Sequence, residues 1–197
     1  MNIIARVQAI LLKPKEEWVK IKGESTPVMT LFMSYVLPLA AIPAIAQFIG
    51  YGLIGRRVLS FGVFRYPLGT ALFQSLLMYV LTVVSAYVAG IVVNALAPTF
   101  ASKSNLENAM KLVVYSMTPS WVAGVFYIFP ALGVLSIIAS FYGLYILYLG
   151  FQSPMLDTPQ DKVVPYLVVS ILVVAGLMII ASVIVGAVFA VGSMAGI

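Results

Sequence analysis

Six acidic residues, and no histidine or cysteine, make up the chain's stock of strongly reactive groups. Glu16, Glu17, Glu24, Glu107, Asp157 and Asp161 all fall where a helix start, a cap or a loop is expected. Helix-end electrostatics accounts for carboxylates at such places without a reaction. None of them forms a general acid–base pair. Without histidine there is no Ser-His-Asp relay, and without histidine or cysteine there is no ordinary zinc site, haem ligation or disulfide. No glycine-rich phosphate loop is present either. Ser116 and Ser120 flank Pro119, where hydroxyls are expected to satisfy backbone groups freed by the proline rather than to act as nucleophiles. These residues predict a protein that is not an enzyme and holds no metal or cofactor.

The elements around them predict a membrane protein. Of 197 residues 62% are hydrophobic and 9% charged, with mean hydropathy +1.10. A soluble domain carries about a quarter charged residues. About 20 apolar residues suffice to cross the hydrocarbon core. The expected fold is all-α: a polytopic membrane helix bundle with about five transmembrane helices, preceded by an N-terminal interfacial amphipathic element. Residues 1–26 form the interfacial or cytosolic segment and 27–197 the membrane domain.

Ile3, Ile4, Val7, Ile10 and Leu11 recur at helical spacing, and Lys13-Pro14 restarts the chain as a second short helix ending at Gly23. The N-terminus reads as uncleaved, since Arg6 and Gln8 interrupt its apolar run and no cleavage site follows. Spans are expected at 28–54, 68–96, 109–127, up to Phe151, and 163–191. Pro38 and Pro43 should kink the first and Thr118-Pro119 interrupts the third. Thr26-Pro27, Ser104 to Glu107 and Thr158 to Asp161 read as helix starts. The uncharged turn at 129–133 leaves two readings of 109–151, two full spans or a re-entrant hairpin.

The net charge of +5 is read as topogenic charge and attraction to anionic lipid headgroups, with no nucleic acid. Placing the N-terminus inside puts Arg6, Lys13, Lys15, Lys20, Lys22, Lys103, Lys111 and Lys162 on the inner side. Arg56, Arg57 and Arg65 then lie outside, so the positive-inside rule favours N-in and C-out. Pro14, Trp18, Lys20 and Lys22 are the candidate interfacial and partner-docking residues, with Trp18 at the headgroup level. No ionisable side chain is expected near the middle of a span, which argues against a proton-coupled pump.

Candidate packing positions are Pro38, Pro43, Pro119, Gly143 and Gly186. Ala139 and Gly143 share a face, as do Ser182, Gly186 and Ala190, and small faces let helices approach closely within a monomer or between copies. Tyr142, Tyr145 and Tyr148 form a stripe read as an interfacial anchor. A groove lined by Gln47, Gln74, Ser85 or Ser116 would favour passage of a solute, whereas solid apolar packing would favour a structural role.

Four stretches resemble the Ypt-interacting-protein (Yip) family, in particular its short prokaryotic inner-membrane members. They are Pro14-Lys15-Glu16-Glu17-Trp18, the run Tyr35 to Pro43 continuing through Phe48-Ile49-Gly50, Tyr115 to Trp121, and Gly143 to Phe151. The resemblance implies five spans, a cytosolic N-terminus and location in the cytoplasmic (inner) membrane. Eukaryotic relatives are associated with vesicle traffic and small GTPases. Here Leu11-Leu12-Lys13-Pro14 stands where their Asp-Leu-Tyr-Gly-Pro element would be, an argument against small-GTPase binding. The expected role is membrane-organising, trafficking-like or scaffolding, with lipids and other membrane proteins or further copies as partners. The alternative is a transporter or channel for a small neutral or lipid-like solute.

Overall fold

Apolar stretches long enough to cross a bilayer alternate with short polar connections, and each becomes a helix. The computed structural model describes residues 2–58, 62–152 and 155–194, the side chains of 56–64 and 181–194 excepted. Two short helices open the chain, α1 (Ile3–Leu12), capped by the Asn2 side chain, and α2 (Pro14–Gly23), with proline at its first position. The first pass is α3 (Val28–Leu31), a π-helical turn (Phe32–Val36), α4 (Leu37–Gln47) and a second π-helical turn (Phe48–Ile54). Pro38 is the second residue of α4 and Pro43 lies inside it. The wider turns sit on either side of the two positions that lack a backbone donor.

A small antiparallel ribbon, β1 (Arg56–Val58) and β2 (Gly62–Phe64), pairs Arg57 with Val63 in the connection that carries the arginines. Helix α5 (Leu68–Leu96) returns, and a 3-10 turn (Ala97–Phe100) ends it. The third pass is broken into α6 (Leu106–Ser116), α7 (Thr118–Ala123) and a 3-10 turn (Gly124–Ile128). A further 3-10 turn (Pro130–Leu132) leads into α8 (Gly133–Gln152), and α9 (Val163–Met194) completes the bundle.

Among the described residues four stretches are long and apolar enough to cross a membrane as continuous helices, Val28–Ile54, Leu68–Phe100, Pro130–Gln152 and Val163–Ile180. The expected third span is the exception, because Pro119 prevents one unbroken ladder. It nevertheless traverses the whole bundle. At its start Lys103 meets Asp157, beside the end of α8, and at its finish Tyr127 lies against Gly50, near the end of the first pass. Helix α8 runs back along it, with Ser136 bonded to Ala123, Ser120 to Ser140, and Gly143 against Ser116. Residues 109–151 therefore run as two antiparallel arms along the length of the bundle, the first broken at Pro119 and the second part of a continuous candidate span.

Three expected helix starts are corrected. Asn105, not Ser104, caps α6, accepting from the Asn108 amide at 3.0 Å. Pro27, which has no side-chain cap bond, precedes α3, so Thr26 is not the cap. Thr158 precedes a turn rather than a helix, and its hydroxyl bonds Ser102 instead.

Candidate functional site

The first candidate surface forms where α1 and α2 fold over one end of the bundle. Amphipathic spacing gives α1 an apolar face, and that face turns inward: Ile10 is fully buried, with Ile3, Val7 and Leu11 packed beside it. Trp18 is likewise fully buried, which corrects its expected place at the headgroup level. Its indole Nε1 donates to the Ile146 carbonyl at 3.1 Å, and its ring stands edge-on to Tyr115. The reason is a fitted seat. A Cβ on Gly150 would lie 2.3 Å from Leu112 and 2.9 Å from the Trp18 ring, so glycine there leaves room for the indole against α8.

Charges lock this cap. Arg6, with 10% of its side chain exposed, pairs with both Glu17 and Glu24 and lies over the Tyr115 ring. Burial opposes the guanidinium charge, but the hydrogen bond to Glu24 and the neighbouring carboxylates hold its pKa above the ordinary value. Lys111, which the sequence counts among the inner-side charges, is 1% exposed on α6. It donates to the carbonyls of Ile21 (3.3 Å) and Glu24 (2.6 Å), the C-terminal end of α2, where a cation satisfies carbonyls that the helix leaves unpaired. Lys22 turns to the 155–157 loop, donating to Met155 O and facing Asp157. Lys103 also binds Asp157, and its hydrogen bond holds that carboxylate below the usual range. Tyr142 donates to Leu11 O, so one of the three tyrosines fastens α8 to α1.

Of the four docking residues expected from sequence, Lys20 faces outward, Pro14 is half-buried, and Trp18 and Lys22 face the bundle. The outer surface of the cap instead presents Ile4, Leu12 and Val19, at 66, 78 and 63% exposure, with Lys13, Lys15 and Lys20.

The second candidate is a groove of about 400 Å³ between α5, α6, α7, α8 and α9. Ser116, Ser120, Ser140 and Ser170 line it among apolar side chains. Gln47 and Gln74 line a separate hollow with Tyr51 and Tyr66, and Ser85 bonds Met178. Gly143 is a contact point, since a Cβ there would be 2.7 Å from Ser116 O. Pro43 packs on Gly124, and Pro119 is the second residue of α7. Gly186 falls in α9 outside the described side chains. Among the described residues no group of acidic side chains could hold a metal.

A bundle of apolar helices, four of them long enough among the described residues to span a bilayer, capped at one end by a charged element, defines an integral membrane protein. The chain belongs to the Yip1 domain family, which matches residues 9–193. It is 27% identical over 153 residues to "Inner membrane protein YohC" of Escherichia coli strain K12, covering 76% of this chain and 78% of that protein. The protein of the same name from E. coli O6:H1 matches to the same extent. No solved structure is a significant match.

Proposed function

We propose that the chain is a non-enzymatic component of the cytoplasmic (inner) membrane with a membrane-organising, trafficking-like or scaffold role, its N-terminus inside and its C-terminus outside. What carries this reading is the cap. It is a folded platform, fastened to the bundle by Trp18, Arg6 and Lys111, that still leaves Ile4, Leu12 and Val19 uncovered beside exposed lysines. Such a surface suits anionic headgroups and membrane partners, each nearby basic residue contributing about 1 kcal/mol near an anionic leaflet. The name of the E. coli relatives supports the location. The test is affinity purification in native-like lipid, comparing the natural chain with Leu12→Glu plus Lys20→Glu. Loss of specific lipids and proteins with unchanged thermal stability supports the reading; identical recovery from both sinks it.

A second reading has its own observation. Ser116 lines a groove in the middle of the bundle, which favours a carrier for a neutral or lipid-like solute. Movement of such a solute across reconstituted vesicles tests it.

A further inference from the structure

Three features single out the groove. Its mouth is flanked by Ile137 and Phe141, 57 and 68% exposed on a helix within the membrane, so it opens sideways into hydrocarbon. From Ile137 to Leu147 it follows α8 for about 15 Å, at 1.5 Å per residue, centred on the middle of that helix. Among the described residues no charged side chain lines it, so an ion would enter without a counter-charge.

The third feature is an unspent hydroxyl. Ser170 is 3% exposed, and its Oγ has no hydrogen-bond partner among the described residues. The other hydroxyls have used their protons: Ser116 donates to Leu112 O, Ser140 to Ser136 O, and Ser120 to Ser140. The groove thus offers one free donor at Ser170 and hydroxyl oxygens able to accept. A buried donor in hydrocarbon is costly while unpaired. A ligand that both accepts and donates meets this pattern, and a molecule arriving from the bilayer interior must be largely apolar.

We propose that the groove between α6, α8 and α9 binds an uncharged lipid bearing a hydroxyl, which accepts from Ser170 while its hydrocarbon lies along α8. The proposal names the solute class of the carrier reading and rests on the same groove. It concerns binding only, whether or not the lipid moves.

The probe is a long-chain alcohol carrying a mid-chain photoreactive group and a click handle, added to the full chain in nanodiscs. An alkane and a fatty acid of matched length are the controls. Crosslinks from the alcohol should map to groove residues of α8 and α9. The alkane should label them about three- to ten-fold more weakly, the worth of one hydrogen bond in a membrane interior. The fatty acid should be excluded at alkaline pH, where its carboxyl group stays ionised at the membrane. Ser170→Ala should bring the alcohol down to the alkane's level without lowering the thermal midpoint, because no internal bond is lost. Ala175→Phe, which fills the groove, should suppress both.

Equal labelling by alcohol and alkane, indifference to Ser170→Ala, capture of the ionised fatty acid, or crosslinks outside the groove would overturn the proposal. Transfer between vesicle leaflets is measured separately. Binding without transfer removes the carrier reading and leaves this site standing; transfer that survives both substitutions, with no groove labelling, does the reverse.

Discussion

Replacing Trp18 with alanine should release the cap while leaving the spans in place. The indole is fully buried, fills the seat above Gly150 and bonds Ile146 O. Truncating a buried Trp costs about 3–5 kcal/mol. The Ile146 carbonyl lies inside α8, so losing the indole donor adds little to that figure. The chain has no cysteine of its own, so a thiol placed at Ile10, fully buried in α1, reports cap opening alone. Where opening is fast relative to labelling, the rate follows the open population. Trp18→Ala in the Ile10→Cys background should then raise labelling by up to about two to three and a half orders of magnitude. Trp18→Phe keeps most of the packing and loses the bond, about 1 kcal/mol, so its rate should rise only about five-fold. A thiol at Ala86, buried in α5, should label at the same rate in all backgrounds. No acceleration at position 10 in Trp18→Ala would refute the reasoning and show that α1 and α2 are held by something other than this side chain.

Acidification should loosen the same end of the bundle. The Asp157 pKa is lowered by the Lys103 hydrogen bond, so its contribution is complete above the ordinary carboxylate pKa of about 3.9 and is lost as pH falls through the depressed folded value. Asp157→Asn should abolish that acid limb in the position-10 labelling profile, and since Asn tolerates the positive φ of 50° found there, the backbone should be undisturbed. Gly50→Ala should lower the thermal midpoint in detergent markedly, because its Cβ would stand 2.0 Å from Tyr127 O, whereas Gly23→Ala, with open space around it, should be neutral or slightly stabilising. Ala131→Cys should react with an impermeant thiol reagent from outside, and a phosphatase fused to the C-terminus should be active only where the C-out orientation holds; reaction from the cytosolic side alone would reverse the orientation.

Hydrophobic runs located the passes, and Lys13-Pro14 and Gly23 correctly marked α2. The side of each helix that faces protein was not legible. Helices α5, α8 and α9 are apolar all round, and lipid is as apolar as a protein core, so periodicity carries no signal there. Trp18 shows the same problem in the cap. Tryptophan beside lysines is as typical of an interface as of a core, and only the chain's return through Gly150 decides between them. Lys111 was counted as loop charge because its partners, the carbonyls of Ile21 and Glu24, belong to backbone almost ninety residues away, which no local pattern reveals. The groove escaped notice for a related reason. Its serines come from α6, α7, α8 and α9, and of these the sequence marks only Ser116 as a groove-lining residue. Thr158 misled because a Thr-Pro followed by an acid resembles a helix start whether or not a helix follows at once.

The order in which the chain is made gives the cap a waiting period. Its parts are made before the seats they occupy: Ile146 lies 128 residues after Trp18 and Asp157 lies 135 after Lys22. At about 5–20 residues per second, the last of these seats is synthesised roughly 7–27 s after the residue that will occupy it. Throughout that interval Arg6, Glu17 and Glu24 have one another, but the indole lacks the α8 backbone that later completes its seat. The membrane surface is the nearest apolar phase. The inward face of the cap is expected to rest on lipid until α8 supplies its seat, and crosslinking from position 18 of arrested nascent chains, to lipid before α8 is made and to protein afterwards, would test that order.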